Sequence, residues 1–310
     1  MARGPLVLVD ADPLVYRAAF GGQKTRVRAS IVEGERVYER TFGSAVALRE
    51  FSKENPDAEI VERDDLTELM PLPFVLASAK STLERISYAT CSGGLHLILS
   101  PEGGTSYRHL IAKQRGYKSN RSSRARPVYY PDIRKYLIDR HGARVVEQRE
   151  ADDELSILAN DLRADGDTYV VATIDKDLDQ IPGHHYDYRE HVSYMVDQES
   201  AERWFWIQAL AGDPTDAIPG CWKIGATKAA RIVDEVLETA CTQEDIWQAL
   251  VSVYEDSKAT AGCPYADQPA VDVATETARL VYLQKRAGEL WMPPPAQPRI
   301  MQELRGRDEF

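Results

Sequence analysis

Cysteine is scarce in this chain of 310 residues, and its four cysteines are widely separated, at Cys91, Cys221, Cys241 and Cys263. They have neither the paired spacing of a zinc site nor the density of a disulfide-stabilised scaffold. Long hydrophobic runs are also missing, since the apolar stretch from Leu6 to Val9 is too short for a signal peptide or a membrane span. These absences predict a cytoplasmic protein with reduced thiols and no membrane partner.

Net positive charge is lacking too, because 38 Lys and Arg stand against 49 Asp and Glu, which gives a formal charge of -11. Taken alone, this sum argues against a nucleic-acid partner, since Lys and Arg drive binding to phosphates. The average hides a basic block without acidic residues, which contains Arg108, Lys113, Arg115, Lys118, Arg121, Arg124 and Arg126. This block predicts a local positive surface.

Short apolar runs alternate with helical patterns in the first part of the chain. The predicted strands are Pro5 to Asp10, Leu95 to Leu99, Ala143 to Val146 and Thr168 to Ile174. The predicted helices are Pro13 to Phe20, Ala45 to Lys53, Pro73 to Thr90, Pro131 to Arg140 and Asp152 to Arg163. The alternation favours an α/β fold with a mainly parallel, doubly wound sheet, in which sites form at the carboxyl ends of strands.

Two segments depart from this alternation. The stretch from Thr25 to Thr41 alternates polar with β-branched or aromatic residues around Gly34 and is a candidate hairpin. After Gln198 the pattern is helical. We therefore predict an α/β core over residues 1–198, a helical region over 199–290 and a tail over 291–310.

Acidic residues collect where predicted strands end or helices begin. The clusters are Asp10-x-Asp12, Glu150-x-Asp152-Asp153, Asp175-x-Asp177 and Asp213-x-x-Asp216. Carboxylates that meet in one crevice raise each other's pKa values and destabilise the fold unless a hard divalent ion compensates them. No His or Cys lies within these clusters, which favours magnesium over zinc.

Each cluster alone has a simpler explanation. Asp152 and Asp153 suit the first turn of a helix, where negative charge is favourable. Asp175-Lys-Asp177 suits a turn, and an Asp after a strand, such as Asp10, serves several enzyme classes or none. The occurrence of all four clusters in this order is what favours a single metal site.

In this order the clusters resemble the acidic motifs of the flap endonuclease and 5′→3′ exonuclease family, which has a PIN-like 5′-nuclease core. The most specific match is Gly212-Asp213-x-x-Asp216-x-Ile218-Pro219-Gly220, and residues 222–230 resemble that family's helix-three-turn-helix. The resemblance covers roughly Pro5 to Val236, and Tyr117-Lys118-Ser119-Asn120-Arg121 is most similar to bacteriophage members. It implies a basic helical arch at about 105–130 and a helix-three-turn-helix at about 204–237.

The resemblance implies a structure-specific 5′-nuclease that hydrolyses DNA at 5′ ends or flaps, with duplex and single-stranded parts as partners. It further implies a role in phage or bacterial DNA replication or repair, and it leaves protein partners unknown. Two magnesium ions, for which manganese would substitute, would stabilise the attacking and leaving oxygens. The carboxylates assigned to these ions are Asp10, Glu150, Asp152 and Asp175, with Asp153, Asp177, Asp213 and Asp216 completing the pocket.

One position departs from the family pattern. The family usually has an Asp after its second core strand, whereas Leu95 to Leu99 leads here into Ser100-Pro101-Glu102. Glu102 is the candidate substitute as a metal ligand. Its longer side chain would either shift one ion or face solvent.

The basic residues have two expected roles. Lys118 and Arg121 match the pair that the family projects from its arch toward the scissile phosphate, which makes them candidate catalytic residues. The others would hold the DNA backbone, namely Arg108, Lys113, Arg115, Arg124 and Arg126.

The helix-three-turn-helix segment is expected to contact duplex phosphates. Gly220 and Gly225 would let the backbone approach phosphates closely, next to a helix N-terminus with free amides. Lys223 and Lys228 are further candidate phosphate contacts. The resemblance also implies a potassium ion at this turn.

Several other residues are expected to be structural. His184-His185 follows Ile181-Pro182-Gly183 in a predicted turn and has no matching partner for a metal site. The tryptophans expected to pack in a core are Trp204, Trp206 and Trp247.

Other functions stay open at this point. A haloacid-dehalogenase-like phosphatase would use Asp10 and Asp12 as nucleophile and general acid, but this explains none of the later clusters. A nuclease that cuts RNA would have a related core of acidic residues. A catalytically silent relative that only binds branched DNA would not need so costly a carboxylate cluster.

Overall fold

The computed structural model describes residues 4–103, 105–121, 125–294 and 299–300. Its helices are α1 (Ala11–Gly21), α2 (Ala45–Glu54), α3 (Leu72–Ala89), α4 (Tyr107–Ile111), α5 (Tyr130–His141), α6 (Ala151–Asp165), α7 (Gln198–Ala211), α8 (Ala226–Leu237), α9 (Gln243–Lys258) and α10 (Ala270–Val281), and a 3-10 helix covers Lys176–Gln180. None of the described helices has the length and apolar character needed to cross a membrane.

The strands of the described residues are mostly short. They are β1 (Leu6–Asp10), β2 (Gln23–Glu33), β3 (Arg36–Phe42), β4 (Ala58–Leu69), β5 (Gly94–Leu99), β6 (Arg144–Val145), β7 (Tyr169–Thr173), β8 (Gly183–Asp187), β9 (Val192–Val196), β10 (Gly212–Asp213), β11 (Ile218–Pro219), β12 (Glu289–Leu290) and β13 (Arg299–Ile300).

The chain divides into two compact units. One unit comprises residues 1–13, 84–125 and 141–310, and the other comprises residues 14–83 and 126–140. The first unit therefore contains both the predicted α/β strands and the helices after residue 198. The predicted boundaries of core, helical region and tail stay predictions.

A six-stranded sheet forms the centre of the first unit, with strand order β6-β5-β1-β7-β8-β9. All neighbouring pairs are parallel except β8 and β9. The central strand β1 contains Val7, Leu8 and Val9, which are fully buried. A continuous apolar run is typical of a strand that is covered on both faces. The predicted mainly parallel α/β fold is confirmed.

The helices after residue 198 enclose a second apolar core in the same unit. Trp206 and Trp247 are buried there, and Trp204 is partly buried against the same cluster. Trp291 joins this core, with its ring centroid 5.0 Å from that of Trp247. The three tryptophans that the sequence predicts as core residues are confirmed in that role.

The second unit contains a three-stranded antiparallel sheet of order β3-β2-β4. The hairpin of β2 and β3 corresponds to the predicted one, and Gly34, in its turn, has a φ of 62°. Apolar residues of one sheet face, Val27, Ala29, Ile31 and Phe42, pack with Leu48 of α2. Strand β4 was not predicted, because it is mostly exposed and highly charged and therefore has no apolar alternation.

Two local predictions are corrected by the structure. His184 and His185 lie in strand β8 instead of a turn, because Gly183 starts a strand that pairs with β7. In the predicted arch, the described residues 105–121 and 125–130 are helical only in α4 and at the first residue of α5. The intervening backbone makes other bonds, such as that from Lys118 N–H to the Asp216 carbonyl at 2.7 Å.

Candidate active site

The carboxyl ends of β1 and β7 bring two acidic motifs together. Asp10 ends β1 and is 2% exposed. Its carboxylate accepts a hydrogen bond at 2.9 Å from the hydroxyl of Thr173, the last residue of β7. Asp175 follows two residues later and caps the 3-10 helix by accepting from Asp177 N–H at 3.0 Å. Parallel strands end at the same sheet edge, and this places the two motifs side by side.

Helix α6 supplies the third motif. Glu150 is its N-cap residue, and Asp152, Asp153 and Glu154 lie in its first turn, where the helix dipole favours negative charge. No side-chain cap bond forms at Glu150. The N–H of Ala151 instead donates to the Ser100 hydroxyl at 3.0 Å. The start of α6 is thus fixed to the end of strand β5.

The fourth motif is a tight hairpin after α7. Strands β10 and β11 pair antiparallel, and Asp213 accepts from Thr215 N–H at 2.8 Å and from Asp216 N–H at 3.2 Å. Gly212 has a φ of 69°, and a Cβ there would lie 2.4 Å from the nitrogen of Gly220. A Cβ at Gly220 would lie 2.2 Å from the backbone of Ala211. Both glycines are required for this close backbone contact.

Four carboxylates of this site have raised pKa values, and we call them the high-pKa carboxylates: Asp10, Asp152, Asp177 and Asp213. Burial is the largest cause in each case. Repulsion between carboxylates is the next-largest cause for Asp10 and Asp152. The charges of Asp12 and Asp175 raise the pKa of Asp10, and those of Asp10 and Asp175 raise the pKa of Asp152. Burial and the charges of Asp175, Asp213 and Asp216 raise the pKa of Asp177 to about 7.

Three other carboxylates contact positive side chains of the basic block, and we call them the cation-held carboxylates: Glu150, Asp153 and Asp216. The Lys118 ammonium lies 2.7 Å from Glu150 and 3.4 Å from Asp216. Burial alone would raise the pKa of Glu150, but Lys118 and Arg108 lower it to about 2. The pKa of Lys118 is raised, because these carboxylates outweigh the effect of its burial.

Tyr117 connects two of the cation-held carboxylates. Its buried hydroxyl lies 2.7 Å from Glu150 Oε2 and 2.9 Å from Asp216 Oδ2. The guanidinium of Arg121 also donates to Asp216. The Asn120 amide donates to the Pro214 carbonyl at 2.9 Å. The segment from Tyr117 to Arg121 is thus docked on the hairpin that follows α7.

Arg108 departs from its predicted role as a DNA contact. Its side chain is 3% exposed and forms two bonds, of 2.6 and 2.9 Å, with the fully buried Asp153. It also donates to the carbonyls of Leu280 and Tyr282, both at 2.8 Å. In this conformation the Arg108 guanidinium, which lies at the wall of the cleft 3.5 Å from Glu150, is held by Asp153 and by backbone carbonyls. We therefore assign both residues a structural role, which corrects the expectation from sequence.

The other predicted DNA contacts lie in several places. Lys113, Arg115, Lys223 and Lys228 are exposed, the last two beside the start of α8. Gly225 is the N-cap of α8 and makes no side-chain cap bond, and a Cβ at this residue would meet nothing within 4 Å. Arg126 belongs to the second compact unit, where it stacks over Tyr130 at 4.8 Å. Arg124 lies outside the described residues.

Glu102 is exposed and lies in a turn next to Gly103, which has a φ of 63°. The strand end that precedes it is organised by Ser100. The backbone N–H of Ser100 donates to Asp12 Oδ2 at 2.9 Å, and its hydroxyl accepts from Ala151 N–H. The end of β5 is therefore followed by a hydrogen-bonding serine, and Glu102 as a metal ligand stays a prediction.

Sequence reasoning missed several polar residues of the site. Gln208 donates to Asp177 Oδ1 at 2.7 Å, and Gln180 donates to Gln208 at 2.6 Å. Thr173 and Tyr117 contact carboxylates as described above. Their only available signal was position, since Thr173 ends a predicted strand and Tyr117 precedes the predicted catalytic Lys118.

Five of the acidic residues line a cleft of the first unit, namely Glu150, Asp152, Asp177, Asp213 and Asp216, and its walls also include Arg108, Tyr117 and Gln208. Among the described residues, no three carboxylate, His or Cys side chains already stand in an arrangement that could enclose one ion. The donors nevertheless fit a hard divalent ion, because they are all oxygens and the high-pKa carboxylates repel one another. Magnesium keeps several of its waters and needs only one or two direct carboxylates.

Comparison with known proteins gives partial matches. No family model matches the chain. A thermostable DNA polymerase I of Thermus thermophilus is 28% identical over 179 residues, which cover 53% of this chain and 21% of that protein. A thermostable DNA polymerase I of Thermus caldophilus is 29% identical over 144 residues, which cover 42% of this chain and 17% of that protein. The chain spans about a fifth of the length of these curated relatives.

Solved structures of bacteriophage T5 proteins are also similar. A T5 flap endonuclease in a complex with DNA and metal ions has a TM-score of 0.49 and 15% identity, covering 88% of this chain and 99% of that chain. A T5 5′-exonuclease with bound zinc has a TM-score of 0.47 and 18% identity, with the same coverage. With its four acidic motifs in the same order, the chain resembles the flap endonuclease and 5′→3′ exonuclease family.

Proposed function

We propose that this protein is a structure-specific 5′-nuclease that hydrolyses DNA phosphodiester bonds with the help of divalent metal ions. The observation that carries the proposal is the group of high-pKa carboxylates, which come from β1, α6, the 3-10 helix and the β10–β11 hairpin and lie close enough to carboxylate neighbours for their pKa values to rise. Within the described residues, none of the four forms a salt bridge with a Lys or Arg, although such residues hold the neighbouring Glu150 and Asp216. Repulsion of this kind is costly for a fold and is relieved by a bound cation.

The residues that would hold the ions are Asp10, Asp152, Asp175, Asp177 and Asp213, joined by Glu150 where Lys118 does not hold it. Thr173 and Gln208 keep two of these carboxylates oriented, through their bonds to Asp10 and Asp177. Bound divalent ions would stabilise charge at phosphorus and lower the pKa of water. We propose magnesium as the ion, with manganese as a substitute, because every donor is an oxygen. A potassium ion at the turn before α8 stays a prediction.

Lys118 and Arg121 would act on the substrate. Both are held by carboxylates here, Lys118 by Glu150 and Arg121 by Asp216. A phosphate carries the same charge and offers similar oxygen acceptors, so it can replace a carboxylate as their partner. The two side chains would then stabilise the negative charge that develops on the phosphate during cleavage.

Other exposed cations would hold the DNA backbone without reading its sequence. Lys113 and Arg115 belong to the basic block, and Lys223 and Lys228 flank the open N-terminus of α8. Helix N-termini with free amides bind phosphate well. The substrate that fits these features is DNA with a 5′ end or flap, whose duplex would lie on the α8 side.

The decisive experiment uses flap DNA labelled at either its 5′ or its 3′ end, incubated with and without magnesium. We expect cleavage only with the ion, and fragment lengths that locate the cut at the 5′ flap. The Asp175→Asn variant keeps an acceptor for Asp177 N–H but loses one charge. We expect it to bind flap DNA as the wild type does and to cleave at least about 10³-fold more slowly.

The matched control is Asp256→Asn, which changes an exposed Asp of α9. This variant should cleave like the wild type. DNA binding without any cleavage by the wild type, at any magnesium concentration, would instead identify a silent branched-DNA-binding relative. Preference for an RNA flap over a DNA flap would reject the DNA assignment.

A further inference from the structure

Two buried glutamines form a line of amides that ends at Asp177. Gln208, in α7, is 5% exposed, and its Nε2 donates to Asp177 Oδ1 at 2.7 Å. Gln180, the last residue of the 3-10 helix, is 8% exposed, and its Nε2 donates to Gln208 Oε1 at 2.6 Å. Asp177 and Gln208 line the cleft. The amide of Gln180 is thus joined to this carboxylate by way of Gln208.

Two backbone groups fix the orientation of the Gln180 amide. Its Nε2 also donates to the carbonyl of Val281 at 2.7 Å, and its Oε1 accepts from the N–H of Leu283 at 3.4 Å. Val281 is the last residue of α10, and Leu283 follows two residues later. A carbonyl only accepts a hydrogen bond, and a backbone N–H only donates one. The reverse orientation of the amide would therefore place two oxygens together at Val281 and two donors together at Leu283.

The orientation of Gln180 determines that of Gln208. The side-chain amide of a glutamine has one end that donates and one end that accepts. Because Gln180 turns its donor toward Gln208, Gln208 meets it with Oε1 and turns Nε2 toward Asp177. An ionised carboxylate only accepts, so this orientation suits it. If the Gln208 amide turned round, its oxygen would face the carboxylate.

The local helices support this line of amides. Asp177 and Gln180 are three residues apart in one 3-10 helix, where residues at that spacing lie on the same side. Helix α7 packs against this 3-10 helix and places Gln208 between the two side chains. Both ends of the line are therefore set by one helical turn, and its middle is set by a neighbouring helix.

A neutral donor holds Asp177 without balancing its charge. Gln208 contributes an N–H to Oδ1, whereas Lys118 contributes a positive charge to Glu150. Hydrogen-bonded neighbours that orient the ligands are a common feature of metal sites. Asp177 is thus held in one position while its negative charge is left for an ion.

We propose that Gln180 is a positioning residue of the divalent-ion site, because it fixes the orientation in which Gln208 holds Asp177. This inference rests on the proposed function, in which Asp177 is one of the residues that would hold the ions. Gln180 acts on the site only through its neighbour. Its effect on ion binding should therefore depend entirely on the presence of the Gln208 amide.

The test measures binding of manganese to the full-length protein by isothermal titration calorimetry at pH 7.5, without DNA. Gln208→Met and Gln180→Met each replace an amide by an uncharged side chain of similar size. We expect the affinity for manganese to fall about tenfold in Gln208→Met, as for other residues that orient metal ligands. The affinity of Gln180→Met should fall severalfold, because Gln208 keeps its amide but loses its fixed orientation.

The double variant makes the test specific. Once Gln208 has lost its amide, Gln180 has nothing to orient. Gln180→Met should therefore cause no further loss of affinity in the Gln208→Met background. Two independent structural effects would instead multiply, because the free energies of uncoupled sites add.

Gln284→Met is the matched control. Gln284 is 3% exposed, and its Nε2 donates to the carbonyl of Glu289 at 2.8 Å, so that bond goes to the backbone rather than to a residue of the cleft. This variant should lose folding stability as Gln180→Met does and should bind manganese like the wild type. Melting temperatures in a chelating buffer show whether each variant is folded at the temperature of the titration. If Gln208→Met does not fold, Gln208→Asn takes its place, because its shorter amide cannot reach both Gln180 and Asp177.

Three results would overturn the inference and leave the proposed function standing. They are wild-type affinity in Gln180→Met or Gln208→Met, a further loss of affinity in the double variant, and an equal loss in Gln284→Met and Gln180→Met. Absence of saturable manganese binding by the wild type, together with absence of cleavage, would overturn the proposed function and this inference with it.

Discussion

Two groups of carboxylates at one candidate site show opposite electrostatic behaviour. The cation-held Glu150 has a pKa of about 2, whereas the high-pKa Asp177 has a pKa of about 7. Burial raises both values, so burial does not explain the difference. The difference comes from the charges nearby. Lys118 and Arg108 of the basic block lower the pKa of Glu150, whereas the charges of Asp175, Asp213 and Asp216 raise the pKa of Asp177 more than the hydrogen bond from Gln208 lowers it.

The comparison separates carboxylates whose charge is balanced by Lys or Arg side chains of the chain from carboxylates whose charge a bound ion would balance. The cation-held carboxylates stabilise the position of the segment from Tyr117 to Arg121 and of α4. The high-pKa carboxylates destabilise the fold at neutral pH and would be stabilised by divalent ions. The three predictions below test this contrast, from the largest expected effect to the smallest.

Breaking the buried ion pair should have the largest effect. Arg108→Met leaves Asp153 buried without a cationic partner, and removal of one partner of such a pair costs roughly 3–5 kcal/mol. We expect a loss of this size in the free energy of unfolding, measured by urea denaturation at pH 7. Arg115→Met, which changes an exposed residue of the same block, should alter that energy by less than about 0.5 kcal/mol. A similar, small loss in both variants would show that Asp153 does not depend on Arg108.

The second prediction concerns the pH dependence of stability without divalent ions. The folded pKa of Asp177 is about 7, above its ordinary value of 3.8. The folded state therefore disfavours the charged form, and the free energy of unfolding should fall as the pH rises from about 4 to about 7. Asp177→Asn removes this contribution and keeps an acceptor for Gln208. We expect the variant to be more stable than the wild type at pH 7.5 and equally stable at pH 4.

Thermal denaturation in a chelating buffer at these two pH values measures the difference. Magnesium should then raise the melting temperature of the wild type more than that of Asp177→Asn at pH 7.5. Asp256→Asn serves as the control and should follow the wild type throughout. If wild type and Asp177→Asn differed in melting temperature by the same amount at both pH values, the raised pKa of Asp177 would be contradicted.

The smallest effect is expected from releasing a cation-held carboxylate. Lys118→Met takes the ammonium partner from the largely buried Glu150, but Arg108 still lies 3.5 Å away, so the free energy of unfolding should fall by roughly 1–3 kcal/mol, less than in Arg108→Met. Manganese affinity without DNA should rise severalfold, because Lys118 no longer competes for Glu150. Cleavage of flap DNA should nevertheless fall, since the phosphate loses a cation. Lys113→Met is the matched control for affinity, and weaker manganese binding by Lys118→Met would refute the competition.

Much of the architecture could be predicted from local patterns. The apolar runs of β1, β5 and β7 are visible in the sequence, and the helical pattern predicted after Gln198 agrees with helices α7, α8, α9 and α10. The hairpin of β2 and β3 was recognisable from its alternation around Gly34. Strand β4 was not, because an exposed, charged edge strand lacks the apolar alternation by which strands are recognised.

The candidate site could be predicted only as a set of residues. The order of the acidic motifs indicated that Asp10, Asp152 and Asp175 meet at one sheet edge. It gave no indication that Arg108 would turn inward to Asp153, or that Ser100 would hold Asp12. These contacts join residues that are 45 and 88 positions apart, and no local pattern encodes such pairs.

The sequence by itself determined the chemistry that is available, because residue types and their spacing fix which strands are apolar and which of their ends are acidic. The tertiary structure decided which of those acids keep their charge uncompensated. That choice depends on distances of a few ångströms between side chains from remote segments, over which electrostatic interactions change steeply. The same residue type, Asp, is therefore a structural ion-pair partner at position 153 and a candidate metal ligand at position 152.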